Sequence, residues 1–494
     1  MRKIIKSIIK HKYFLLILIV GLFLRVYKYD ELFLYGHDQD LAGWFVRDVV
    51  FNRHVRLIGQ ETSTAGIYIG PLYYYLLIPF YFLTGFDPIG GVILITLLGL
   101  FSIWSVYHVL SRVYEKNIGL IASLLYATSY YMVFNDREVV PTMPVITWTV
   151  WFFYTLYLVL QGYKKQGYLL LGVLIALIWH LNFALILLLP LVFLAEFLSK
   201  KKPDFDAMFR GLIVLGISSL PLIVFELRHN FQQVRAFITA LTTDQAAVVT
   251  GWAKFQRVYS LASVNLRGFL YGNTFNLPQI LLPILFLLIS GLLTFYKKID
   301  KRHNLIFLGW LTIYQVFFST YSKIVSEYYL NGMMIVWLVI LSVGLYQLMK
   351  IKKIRLLGFV IIGVFVFLNV NRLFTHTINR SGYIERKQIV KIVNEDARSN
   401  NYPCVAISYI TGPGYDLGYR YFLWLEKIKI KKPSSLAPVY TIVYPLRDDI
   451  AVDETAGAIG LIYPDYSSYN TEGIGKSCEG DNVNVSEPMW GMPI

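Results

Sequence analysis

Charge is scarce in this chain. Only 16% of its 494 residues are Asp, Glu, Lys or Arg, while 56% are hydrophobic. A soluble domain carries about a quarter charged residues, so a soluble globular class is excluded. Acid is scarcer than base, with 31 acidic residues against 46 basic ones and a formal net charge of +15. Cysteine is almost missing. The only two, Cys404 and Cys478, rule out a disulfide-dense scaffold and any four-cysteine zinc site. No Walker loop, HExxH or GxSxG with partners occurs, which leaves nucleotide hydrolysis, zinc proteolysis and serine esterase chemistry without residues. No basic stripe interleaved with aromatics marks a soluble segment, so nucleic acid is not an expected partner. A small-residue cleavage site is also missing after the basic start and the apolar stretch Tyr13 to Tyr29. That stretch is therefore expected to be an uncleaved first span and not a signal peptide.

What is present is a series of apolar runs near the roughly 20-residue length that crosses a bilayer. Between them lie short basic loops at Arg112 to Lys116, Lys164 to Lys165, Lys200 to Lys202, Lys297 to Arg302 and Lys350 to Arg355. Cytoplasmic loops carry the excess of Lys and Arg, so these loops and the N-terminus are expected on the cytoplasmic side. From His376 onward 12 basic residues face 14 acidic ones, so the first 375 residues hold about 17 positive charges in excess. This balance also suits contact with anionic lipid headgroups.

The parity of the loops predicts about 11 spans, with the N-terminus cytoplasmic and the C-terminus extracytoplasmic. Between the first span and the run Pro88 to Leu110, the tyrosine-rich Gly70 to Leu83 segment is too short to cross twice and is expected to lie in the interface. The apolar run Tyr168 to Ser199 has 32 residues. One helix of that length would measure roughly 48 Å against a hydrocarbon core of about 30 Å. A hairpin of two short helices is expected instead, turning at Trp179-His180-Leu181-Asn182. A loop of roughly 50 residues is expected from Glu226 to about Asn276.

With this parity the unusual polar clusters fall on one outer level: Asp38/Asp40, Asp136/Arg137/Glu138, His180/Asn182, Glu226/Arg228/His229 and Lys323/Glu327. The composition changes at His376. Cys404 to Ile410, Val439 to Tyr444 and Ala458 to Tyr463 read as buried strands, and Val390 to Ala397 and Tyr419 to Lys427 read as helical. The predicted organisation is a polytopic α-helical membrane domain, 1–375, and a small extracytoplasmic α/β domain, 376–494. Gly412-Pro413-Gly414 is a turn and not a phosphate loop, since no GxxxxGK follows it. In an extracytoplasmic domain the two cysteines could join; two buried thiols are the other possibility.

Carboxylates at the outer leaflet can act as a general base or hold a divalent cation. Asp38 and Asp40, one residue apart, are candidates for both roles, the cation being Mg, Mn or Zn. Arg137, Arg228 and Lys323 are candidates to stabilise a phosphate leaving group. His180 could hydrogen-bond a substrate.

The order of these motifs resembles a known family. Gly36-His37-Asp38-Gln39-Asp40-Leu41-Ala42 is followed by Gly70-Pro71-Leu72-Tyr73-Tyr74, then by Asp136-Arg137-Glu138-Val139-Val140-Pro141, and later by Phe317-Phe318-Ser319 with Glu327-Tyr328-Tyr329. Together they resemble the GT-C superfamily of integral-membrane glycosyltransferases. The likeness is to the branch of protein O-mannosyltransferases and the lipid A aminoarabinose transferase, and it covers Leu15 to Ile340. It implies inverting transfer of a hexosyl or pentosyl group from a polyprenyl-phosphate carrier at the outer face of the cell membrane. The acceptor would be a protein, lipid or glycan. Asp38 would match the general base, with Asp40 as its alternative. Glu138, or else Asp136, would match the second acidic site, and Lys323 would meet the lipid phosphate. Asp136, Arg137, His180, Arg228, Glu327 and Tyr328 would contribute to substrate binding. The Asp-Gln-Asp order departs from the Asp-Glu or Glu-x-Asp of many relatives, which leaves the base and the need for a metal open. The rival readings are a lipid-linked glycan transporter or flippase, and a non-catalytic membrane scaffold.

Overall fold

A computed structural model describes residues 2–242, 250–272, 280–321 and 324–492. The chain falls into two compact units. The first comprises Met1–Tyr27, Ile95–Arg137 and Pro141–His376; the second comprises Lys28–Leu94, Glu138–Val140 and Thr377–Ile494.

The first unit is helical and its core is aromatic and aliphatic, with Trp310, Trp337, Phe152, Phe153 and Tyr126 fully buried. Among the described residues, three helical stretches are long and apolar enough to cross a membrane: Gly90–Val113, Glu327–Lys350 and Lys352–Phe374. A fourth candidate is the pair Phe205–Ser218 and Leu220–Arg228, bent by 60°. Shorter apolar helices accompany them, including Val145–Gln161 and Leu281–Phe295.

The long run after Tyr168 breaks where the length argument places it. A helix Lys164–Leu181 stops at Asn182, a 3-10 turn Phe183–Leu188 follows, and a second helix Pro190–Leu198 leads back. The Asn182 side chain accepts from the Ala184 N–H at 2.8 Å and so caps the turn. At the other end Lys164 Nζ meets Glu196 at 2.5 Å, and the Tyr168 hydroxyl donates to the same carboxylate. The Phe205–Ser218 helix lies close against Lys164–Leu181 at two glycines. A Cβ on Gly211 would stand 2.6 Å from the Tyr168 carbonyl oxygen, and one on Gly172 would strike the Gly211 carbonyl. Small residues allow this backbone approach, as is usual between membrane helices.

The expected loop after Glu226 is largely helical. It contains Gln232–Thr242 and the 21-residue helix Gly251–Tyr271; 243–249 and 273–279 lie outside the described residues. In the longer helix Val258, Ala262, Leu266 and Phe269 are buried, spaced four, four and three residues apart. That is the stripe of an amphipathic helix. Lys254, Arg257, Asn265 and Arg267 hold its hydropathy below that of a span, so an argument from apolar runs passes over it.

In the second unit the first acidic loop opens the helix His37–Phe51. The Gln39 side chain accepts from the Gly36 N–H at 2.8 Å, and Asp38 and Asp40 in the first turn complement the helix dipole. The helix Leu72–Leu83 buries Tyr73, Tyr74, Leu77 and Tyr81 and exposes Leu72, Leu76, Phe82 and Leu83. Phe45 stacks on Tyr74 at 4.8 Å between centroids.

The C-terminal part forms one five-stranded mixed sheet. Its strands are β1 (Val405–Thr411), β2 (Ile430–Lys431), β3 (Val439–Tyr444), β4 (Glu454–Ala456) and β5 (Ile459–Ile462), in the order β2-β1-β3-β5-β4. Strand β1 runs parallel to β2 and β3, while β5 is antiparallel to β3 and β4. The helix Tyr383–Ser399 precedes it and buries Ile389, Val390, Val393 and Ala397. Cys404 and Cys478 are joined, with their Cα atoms 5.5 Å apart.

Candidate active site

Asp38 and Glu138 lie 100 residues apart in sequence and share the second unit, while Asp136 and Arg137 belong to the first. Gln39, buried between Asp38 and Asp40, donates from Nε2 to the Val139 carbonyl at 3.3 Å. This bond ties the helix of the first acidic loop to the Glu138–Val140 segment. Val139 is itself packed, since a Cβ on Gly91 would meet its Cγ1 at 2.6 Å. Glu138 beside it is exposed.

Asp38 and Asp40 have different surroundings. Asp38 is exposed, and its Oδ1 accepts from Gln60 Nε2 at 3.0 Å. Asp40 is fully buried. Its Oδ1 accepts from the Tyr35 hydroxyl at 3.1 Å and from the Tyr421 backbone N–H at 2.9 Å, at the start of the helix Arg420–Leu425. Its Oδ2 has no partner among the described residues. Burial pushes the Asp40 carboxyl up to about 6 against the pull of the Tyr421 N–H and the Tyr35 hydroxyl. Among the described residues, no group of three or more His, Cys, Asp and Glu is placed to hold a metal ion. His37 stacks on Trp490 and its Nε2 lies 3.0 Å from the Trp490 carbonyl; burial lowers its pKa below the ordinary value.

On the same helix, Trp44 and Arg47 form a cation-aromatic stack that takes in Trp424. The Arg47 guanidinium lies 4.8 Å from the Trp44 ring and 5.6 Å from that of Trp424, and Arg420 lies 5.6 Å from Trp44. Trp44 Nε1 and Arg47 Nε are buried without hydrogen-bond partners among the described residues. Trp424 and Arg420 come from a segment that gave no chemical signal in sequence. Only the half-buried aromatic-basic Arg420-Tyr421-Phe422-Leu423-Trp424 order could have flagged them.

In the first unit Asp136 is committed to a partner the sequence reading passed over. Its Oδ2 accepts from Arg25 Nε at 3.0 Å and Nη2 at 2.5 Å, and its Oδ1 from the Tyr126 hydroxyl at 2.9 Å. Both charged side chains are essentially fully buried, at 0% and 1% exposure. Arg25 sits in the first apolar helix. A lone Arg within such a helix is the signal that could have revealed it, because a charge there needs a partner. Arg137 donates from Nη2 to the Tyr27 carbonyl at 2.5 Å. Burial, with Arg25 nearby, brings its pKa down to about 10.

The other expected residues lie elsewhere in that unit. His180 is buried beside Trp179 at the end of its helix. Glu226 is buried, and Arg228 two residues on is exposed. The Glu327 carbonyl accepts from Asn265 Nδ2 at 2.9 Å, and Tyr328 packs on Tyr329 at 4.5 Å. Lys323 lies outside the described residues.

Residues 69–225 match the family described as dolichyl-phosphate-mannose-protein mannosyltransferase. The match takes in Asp136, Arg137 and Glu138. Among solved structures, the chain is similar to ArnT from Cupriavidus metallidurans bound to undecaprenyl phosphate. The TM-score is 0.63 at 11% identity, covering 93% of this chain and 99% of that one. The fold is that of the GT-C glycosyltransferases. The apo state of the same ArnT gives a TM-score of 0.59 at 12% identity over 92% of this chain and 98% of that one. The Archaeoglobus fulgidus oligosaccharyltransferase in complex with Zn and sulfate gives 0.50 at 12% identity, over 87% and 67%. No curated protein matches by sequence. At these identities the likeness to the GT-C structures is one of fold.

Proposed function

We propose that the protein transfers a sugar from a polyprenyl-phosphate carrier to an acceptor at the extracytoplasmic face of the membrane, with inversion. The observation that carries this reading is the bond from Gln39 to Val139, which holds the helix that carries Asp38 against the segment that carries Glu138. The GT-C fold over nearly the whole chain and the mannosyltransferase family match around Glu138 support it. So does the undecaprenyl phosphate bound by the ArnT of similar fold.

Asp38 is the base. Its carboxylate is exposed and held by one neutral donor, so it can take a proton from an acceptor hydroxyl or amine within hydrogen-bond reach. The acceptor oxygen or nitrogen then bonds to the anomeric carbon as the bond to the carrier phosphate breaks, and the electron pair leaves on that phosphate. Asp40 is a positioning residue, since its oxygen is spent on Tyr35 and Tyr421. Glu138 serves as the second acidic group. Arg137, Arg228 and Lys323 are assigned to the leaving phosphate, and His180, Glu327 and Tyr328 to substrate binding. Asp136 is less suited to contact substrate, because Arg25 and Tyr126 already occupy both its oxygens. No step is routed through a metal. The 1–375 part carries the transfer, and the domain 376–494, outside the cell membrane, steadies the first loop.

The test is release of lipid phosphate from a radiolabelled polyprenyl-phosphate sugar in membranes, comparing wild type with Asp38→Asn at matched expression. Turnover by wild type and a loss of about 100-fold or more in Asp38→Asn are expected. Full activity in Asp38→Asn would remove the base. No turnover with several donors and a broad acceptor mixture would remove the class and favour a transporter or scaffold.

A further inference from the structure

In the second unit the segment 487–491 is tied down along its length. Arg420 donates from Nη2 to the Glu487 carbonyl at 2.9 Å and from Nη1 to the Pro488 carbonyl at 3.2 Å. His37 Nε2 donates to the Trp490 carbonyl at 3.0 Å, and the Glu61 N–H donates to the Gly491 carbonyl at 2.8 Å. Met489 is buried. Gly491, at φ +76°, makes the turn that follows, a conformation side chains disfavour. Yet the Trp490 indole is 73% exposed. Among the described residues its ring contact is His37, stacked at 5.1 Å with the planes 26° apart. One face of the indole rests on the imidazole and the other is open.

The rim of this stack is polar. His37 directly precedes Asp38, whose exposed carboxylate accepts from Gln60 Nε2 at 3.0 Å. The charges of Asp38 and of the exposed Asp416 both act on His37. A large aromatic left in water forgoes its burial, and one already fixed by its backbone loses little freedom when a ligand covers it. A pyranose fits such a surface. Its C–H face is apolar and lies flat on an indole, and its hydroxyls donate to carboxylate oxygens at the edge. A lipid surface fits less well, because two carboxylates beside the ring are repelled by anionic headgroups.

We propose that Trp490 is a stacking platform for a pyranose ring of the acceptor, so that the acceptor is a glycan whose hydroxyl is presented to Asp38. His37 is the positioning residue, since it sets the plane of the indole and holds its backbone. The role of acceptor rests on the transferase reading; the saccharide site rests on the exposed ring and its polar rim.

The test uses the full-length protein in phosphatidylcholine nanodiscs, which carry no sugar headgroup. Disaccharides of glucose, mannose and N-acetylglucosamine, in α and β linkages, are titrated separately and read by saturation-transfer NMR. Transfer to the pyranose C–H protons of at least one probe is expected. Trp490→Ala should weaken that binding by about tenfold, the value of one aromatic stack, and Trp490→Phe should keep most of it. No binding by any probe, or equal binding by Trp490→Ala, would overturn the proposal. In nanodiscs of brominated phosphatidylcholine, the fluorescence that Trp490→Phe removes should be unquenched; quenching would place the ring among lipid and also overturn it. The two readings fail separately. Saccharide binding without any sugar transfer would remove the transferase and leave the site. Transfer to an acceptor without a saccharide, undiminished in Trp490→Ala, would keep the transferase and overturn the glycan acceptor.

Discussion

Asp40 and Arg25 each hold a charge where water is excluded, and they manage it differently. Arg25 has Asp136 and also donates to the Gly21 and Ala127 carbonyls at 3.1 and 3.3 Å. Removing one partner of such a pair leaves an uncompensated charge, which costs about 3–5 kcal/mol. Asp136→Ala should therefore abolish folded protein in detergent, and Arg25→Met with Asp136→Leu should restore much of it. Failure of that double variant to recover folded protein, read by size-exclusion yield, would show that the pair is not what fails. Asp40 has no cation bonded to it. Its folded-state pKa of about 6 stands above its unfolded value near 3.8. The folded state thus holds the proton more tightly, and stability falls as pH rises from about 4 to about 6, by roughly 3 kcal/mol. Asn can accept the same two hydrogen bonds without the charge. Asp40→Asn should flatten the decline in melting temperature between pH 4.5 and 7, and equal slopes for the two proteins would rule out Asp40 as its source.

At the scale of elements, the contact between Lys164–Leu181 and Phe205–Ser218 depends on two missing side chains. Gly211→Leu must push the helices apart or distort a backbone carbonyl, and a loss above about 2 kcal/mol is expected. The measurement is thermal unfolding in detergent; Gly216→Leu, whose Cβ would meet open space, serves as the control. The disulfide Cys404–Cys478 closes a separation of 74 residues beside the sheet. Its reduction should lower stability by about 2–5 kcal/mol, visible as an earlier melt with reductant and absent in Cys404→Ser with Cys478→Ser. The elements that could be read from sequence are those with one dominant signal. Strands β1, β3 and β5 are apolar runs of strand length, and the hairpin at Asn182 follows from an apolar run too long for one helix. The helix Gly251–Tyr271 stayed hidden because its apolar stripe is diluted by basic residues, and the short strands β2 and β4 because two or three residues hold no period. In the candidate site, Asp38 and Glu138 were legible as acids in an acid-poor chain. Arg25, Trp424 and Arg420 were not, since each gains its meaning from a residue more than 100 positions away.

For the whole molecule, the basic loops set an orientation that labelling can check. A cysteine at Leu436, which is exposed at 78%, should react with an impermeant maleimide from outside intact cells, and one at Lys201 should react only after permeabilisation. The reverse pattern would invert the proposed active face. The second unit draws on residues near both ends of the chain. A ribosome making this protein has long released the first loop by the time Tyr421 emerges. Until then no backbone N–H from that segment can donate to Asp40 Oδ1, and the His37–Phe51 helix has the Val139 carbonyl and its own loop, but not the Arg420–Leu425 helix, to hold it. The unit with the proposed base is thus completed only after most of the chain has been synthesised. A chain stalled or truncated before Tyr421 would carry its acidic residues in place but unassembled, so the order of synthesis withholds the site from incomplete products.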